Sequence, residues 1–156
     1  MKNTTFKENK NLKKLIFVFL ITSTLYSCKK YEGDNGLQLN TAKNRISREW
    51  VINNYLENGK DQTAWFKTVQ PNFTLSLTKD GNFTTHAEGA YSIGNYSVPI
   101  EINEKGKWDF AMNKKNILLN YTTGAKIPYA ILKLSKTELW CQDINTPEKE
   151  YHYKAK

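Results

Sequence analysis

From residue 50 onward, short runs of alternating apolar and polar residues are separated by turn-forming ones, a rhythm that predicts strands rather than helices. Residues 50–56 open the series, and Glu57-Asn58-Gly59-Lys60-Asp61 closes that first run. Phe73, Leu75 and Leu77 then alternate with Thr74, Ser76 and Thr78, the period-two pattern of a strand with one wet face. Lys79-Asp80-Gly81-Asn82 predicts a hairpin turn, because Asp-Gly readily takes the positive φ angles of tight primed turns. The partner strand runs through Phe83, Thr85 and Ala87. Residues 91–102 predict a further strand or a bent pair, with Gly94 and Pro99 at bulge or edge positions. Trp108, Phe110 and Met112 alternate with Lys107, Asp109 and Ala111. Turns at 113–115, 122–124, 135–137 and 145–148 then separate strands at 116–121, 126–134, 138–144 and around Tyr151 and Tyr153.

Eight or nine short strands joined by short turns predict an all-β, antiparallel, up-and-down meander. An open meander leaves two unpaired edges, and closure into a barrel of about eight strands removes them. One connection, 59–71, is long; it contains Ala64-Trp65-Phe66 and predicts a short helix or a lid over one barrel mouth. The phase of each strand points Trp50, Ile52, Phe73, Leu75, Leu77, Trp108 and Phe110 inward. With Trp65 and Phe66 in the long connection, these are the candidate ligand-binding residues. Two interiors remain open at this point: a core packed shut by its own side chains, or a barrel with room for a small molecule.

The first 27 residues follow a different pattern. A lysine-bearing start (Lys2, Lys7, Lys10, Lys13, Lys14) leads into an apolar stretch from Leu15 to Tyr26, then Ser27 and Cys28. Cationic head, short apolar middle and small residue before a cut are the parts of a secretory signal peptide. At 12 residues the apolar stretch is too short for a permanent span, which needs about 20. Leu25-Tyr26-Ser27-Cys28 resembles the lipobox of bacterial lipoprotein precursors, with Tyr26 bulkier than the usual small residue. That resemblance implies cleavage before Cys28 and diacylglycerol on its thiol, anchoring the mature chain to a membrane of the cell envelope. Lys29 after the cysteine fits transport to the outer membrane, with the periplasmic and surface leaflets both open. Residues 28–43 then read as the lipidated cysteine and a polar tether, and 44–156 as the barrel domain; Thr41 is placed to cap a helical turn through 46.

Charge changes this picture little. The formal net charge is +8, but half of it sits in the leader, and the rest of the chain has lysines scattered singly or in pairs with only two arginines, Arg45 and Arg48. Nucleic-acid binding needs a concentrated cationic face to displace counterions, and none is present. If Cys28 carries lipid, Cys141 has no partner for a disulfide; in Leu139-Trp140-Cys141-Gln142 it reads as a buried, inert residue. His86 and His152 lack metal-ligand spacing, and there is no phosphate loop or serine elbow, so neither metal, cofactor nor catalysis is expected. Glu101, Glu104, Asp109 and Glu138 are spaced like solvent-facing charges.

Several short segments, taken in order, resemble the lipocalin-like lipoprotein domains of Bacteroidetes. They are Ile46-Ser47-Arg48-Glu49-Trp50, the segment 75–83 around the first hairpin, Gly106-Lys107-Trp108, Ile117-Leu118-Leu119 and the segment 131–140. The resemblance implies a lipocalin-like barrel able to hold a small hydrophobic ligand. The alternative is a structural or protein-interaction lipoprotein whose barrel is filled. One residue departs from the pattern: Arg48 stands where lipocalins usually carry a glycine two places before the first tryptophan.

Overall fold

The computed structural model describes residues 41–156; the expected leader, Cys28 and most of the tether lie outside the described residues. Alternation and short turns yield nine antiparallel strands: β1 (Glu49–Glu57), β2 (Lys60–Asp61), β3 (Thr74–Leu77), β4 (Asn82–Ile93), β5 (Tyr96–Ala111), β6 (Asn116–Tyr121), β7 (Lys126–Leu134), β8 (Glu138–Asp143) and β9 (Lys149–Ala155). From β3 to β9 each strand pairs with the next, and β1 pairs with both β3 and β9. The eight strands β1 and β3–β9 therefore close into a barrel, and the short β2 continues the ladder along the end of β1. Closure satisfies the backbone groups that an open meander would leave at its edges.

Two helices occupy opposite ends. Helix α1 (Ala42–Ile46) is capped by Thr41, whose hydroxyl accepts from the Asn44 amide at 3.2 Å. It buries Ala42, Arg45 and Ile46. The helical turn expected from Thr41 through Ile46 is thus present, with Thr41 as its cap and Ala42–Ile46 as the helix packed on the barrel. Helix α2 (Thr63–Val69) lies in the long connection, as its aromatic pair suggested.

The turns explain the register. In the first hairpin only Gly81 takes a positive φ, +77°, and Asp80 does not, so the turn is not the two-residue primed type. It is a longer loop in which the Thr78 amide donates to the Asn82 carbonyl. Gly81 also receives the Trp108 amide on its carbonyl at 2.8 Å, and a Cβ there would sit 3.2 Å from the Trp108 carbonyl oxygen. Gly94, at φ +61°, is the first residue of a two-residue turn between β4 and β5, the position glycine favours in a II′ hairpin.

The expected strand or bent pair at 91–102 is thus the tip of one long hairpin, paired from Asn82 opposite Lys107 to Ile93 opposite Tyr96. β3 covers β4 only as far as His86, and β6 covers β5 only from Gly106 onward. The outer half of the hairpin consequently rises beyond the barrel as a two-stranded ribbon. Met112, which continues the alternation of Trp108 and Phe110 in the sequence, leaves the strand at the start of a 3₁₀ turn and is exposed.

Candidate functional site

The barrel interior divides into a packed base and a hollow upper half. At the base, Ile46, Leu77, Leu134 and Leu139 are fully buried around Trp50. The Trp50 indole donates to the Ile46 carbonyl at 2.8 Å, tying β1 to α1. Both arginines work here. Arg45 donates to the Leu134 carbonyl at 2.7 Å. The Arg48 guanidinium lies 5.6 Å from the centre of the Trp50 ring and donates to the Lys136 carbonyl in the β7–β8 turn. The residue that replaces the expected glycine is thus a clamp between the first strand and a distant turn. Trp108 closes the neighbouring side, its indole donating to the Thr78 carbonyl at 2.9 Å.

The upper half holds a cavity of about 130 Å³. Helix α2 forms its roof. The roof is held by the Tyr55 amide donating to the Thr63 hydroxyl at 2.9 Å, and by the Thr63 amide donating to the Asp61 carboxylate at 2.8 Å. Those bonds to Thr63 also hold the Asp61 carboxyl below its ordinary range. Phe66 is the residue of α2 that turns inward, packing against Tyr55 at 5.1 Å, Phe73 at 5.5 Å and Tyr151 at 6.2 Å between ring centres. The walls carry four tyrosines; Tyr151 packs edge-on against Tyr129 and stacks on Tyr153, while Tyr121 packs edge-on against Phe83. None of their hydroxyls hydrogen-bonds to another described residue, so these groups are free to serve whatever enters the cavity.

Glu104 is the only charged side chain among the described residues of the lining. Register places it there: Thr85 is buried on the inner face of β4, and Glu104 is its direct partner on β5. Directly opposed residues of an antiparallel pair share a face. The Thr85 hydroxyl donates to the Glu104 carboxylate at 3.4 Å, and no described lysine or arginine forms an ion pair with it. Glu104 is solvent-exposed, as its spacing suggested, and it also borders the cavity.

The walls resist ionisation. Burial, and then the charges of Glu104 and Asp143, push the Tyr121 hydroxyl up to about 12. Burial likewise raises Tyr129, Tyr151 and Tyr153 above the ordinary tyrosine value, so all four stay neutral at physiological pH. Cys141 also lines the cavity, and burial pushes its thiol up, which leaves it protonated and a poor nucleophile. Among the described residues no group of three or more His, Cys, Asp or Glu is placed to hold a metal ion.

Of the nine candidate ligand-binding residues, Phe66, Phe73 and Leu75 line this cavity. Trp50, Leu77 and Trp108 are inward but belong to the packed base, and Phe110 packs edge-on against Trp108 at 5.4 Å. Ile52 is buried beside a separate shallow depression, and Trp65 is 54% exposed on the outer side of α2. These six do not line this cavity; for the five on strands, inward phase fixes the face of a strand but not the height along the barrel. Most of the lining comes instead from β6–β9. Its signal was present in the alternation Ile117, Leu119, Tyr121 and in the pair Tyr151 and Tyr153.

No family model matches the chain, and no curated protein matches it in sequence. Among solved structures it is similar to a lipocalin-like protein from Bacteroides uniformis, with a TM-score of 0.53 and 9% identity over 72% of this chain and 99% of that one. Identity that low carries the fold alone, and the fold is that of a lipocalin-like barrel.

Proposed function

We propose that this lipocalin-like barrel is a binding module, not an enzyme, that holds one small and largely apolar molecule beneath α2. The observation that carries the reading is the roofed aromatic cavity of about 130 Å³. An apolar engineered cavity of roughly 150 Å³ takes up benzene, whereas pockets for drug-sized ligands run from about 300 Å³ upward. The ligand this cavity fits is therefore of single-ring size, well short of a long acyl chain. Native mass spectrometry and tyrosine or tryptophan fluorescence, with a panel of single-ring compounds, test the reading. A bound mass or a saturable fluorescence change supports it, and a panel with neither removes it.

The site of action follows from the lipobox-like ending at Cys28. The reading places the barrel in the bacterial cell envelope, on an acyl anchor, with the outer membrane as its destination. Acyl chains stabilise membrane attachment by about 0.8 kcal/mol per buried methylene, enough for durable anchoring when several are present. Replacing Cys28 with serine is expected to abolish processing and release the chain from membrane fractions; unchanged retention rejects the anchor.

A second reading, docking to another envelope protein, is favoured by one feature. Tyr91, Tyr96 and Val98 are exposed on the projecting ribbon, and the register Tyr91 opposite Val98 and Ile93 opposite Tyr96 puts them on one face. Crosslinking from Tyr96 in envelopes should capture a single dominant protein if this face docks, and scattered products count against it.

A further inference from the structure

The lining combines features that serve one class of ligand better than any other. Six of its residues are aromatic, one is a carboxylate, and none is basic, in a chain that carries 23 lysines and arginines. Aromatic rings present negative faces to a cation, and the attraction grows when the cation is desolvated. Neutral phenol oxygens add lone pairs without adding charge. The one carboxylate, Glu104, has no cationic partner among the described residues, although it stands on the inner face next to Tyr121. An anion entering here would lose its hydration, meet that carboxylate and find no counter-charge, which is costly. A fatty acid is disfavoured twice, by its length and by its charge.

We infer that the cavity selects a small organic cation, an amine or quaternary ammonium of single-ring size, with Glu104 at its charge and the rings of Phe66, Tyr121, Tyr129 and Tyr151 around its apolar part. Three elements assemble the site. α2 supplies the roof through Phe66, β5 brings the carboxylate, and β6, β7 and β9 supply the tyrosine walls. The inference rests on the ligand-binding reading above and sharpens it by charge.

Three isosteric probes separate the two ideas: benzylammonium, benzyl alcohol and benzoate, each titrated calorimetrically into the full chain in an uncharged sugar detergent at neutral pH. Benzylammonium is expected to bind about tenfold more tightly than benzyl alcohol, in line with a desolvated cation–π contact plus one carboxylate, and benzoate to bind weakest. Glu104→Gln should bring the affinities for the cation and the alcohol together. Benzyl alcohol or benzoate binding as well as the cation overturns the inference and leaves the ligand-binding reading standing. No binding by any of the three overturns both. A cation preference that survives Glu104→Gln overturns the role of Glu104. The wild-type series decides the charge preference even if the variant does not fold.

Discussion

The two ends of the barrel are built from the same kinds of residue and do opposite things with them. At the base, the large polar side chains turn to the backbone: Trp50 to Ile46, Arg45 to Leu134, Trp108 to Thr78, although the buried Nε of Arg48 has no partner among the described residues. The upper half has as many aromatics, yet its tyrosine hydroxyls bond to no described residue, and space is left between the rings. Close packing and satisfied polar groups produce rigidity, whereas unfilled volume and unused hydrogen-bonding groups lower local stability. The contrast shows that an aromatic side chain in a barrel is not in itself a sign of a binding site. What its polar end touches decides which role it has.

The contrast is open to direct attack, most forcefully at Trp50. Trp50→Ala removes a fully buried indole and its bond to α1, and is expected to cost about 3–5 kcal/mol, read as a shift of the urea midpoint. A loss as small as that of a surface change would mean the base is not the stabilising end. Alkaline pH attacks the upper half next. An unfolded tyrosine ionises near 10, whereas Tyr121 in the folded chain holds its proton to about 12. Between those values the unfolded chain binds fewer protons, so stability falls as pH rises from 10 toward 12. Tyr129, Tyr151 and Tyr153 shift in the same direction, and tyrosinate absorbance should appear together with loss of strand circular dichroism. Ionisation while the fold stays intact would show that the walls are wet.

Smaller effects sharpen the comparison. Arg45→Ala removes a buried charged donor to the Leu134 carbonyl and should destabilise by about 1–3 kcal/mol in the same denaturation assay. Tyr129→Phe deletes a hydroxyl that bonds to no described residue. It is expected to change stability by less than about 1 kcal/mol, and even to raise it slightly. A large loss on Tyr129→Phe would place that hydroxyl in a structural network and erase the difference between the two ends.

Legibility in the sequence followed the range of the forces involved. Strand after strand was readable because alternation is local: Phe73, Leu75 and Leu77 or Trp108 and Phe110 need only their own neighbours to declare a face. The helix capped by Thr41 was visible for the same reason. The cavity was not, since Trp50 and Leu75 sit opposite each other in the β1–β3 ladder while only Leu75 reaches the hollow. Glu104 looked like any surface charge until its pairing with Thr85 fixed its side of the sheet.

The chain by itself determined an all-β meander with an apolar and a polar face to each strand, because side-chain direction alternates with every residue. It also determined the lipobox-like ending at Cys28, a property of local order alone. Tertiary structure alone decided which inward residues fill the barrel and which leave room. Closure through the β1–β9 pairing sets the height at which each strand meets its neighbours, and that stagger is a long-range quantity no local pattern encodes. It placed both arginines at one end and an unpaired carboxylate among tyrosines near the other.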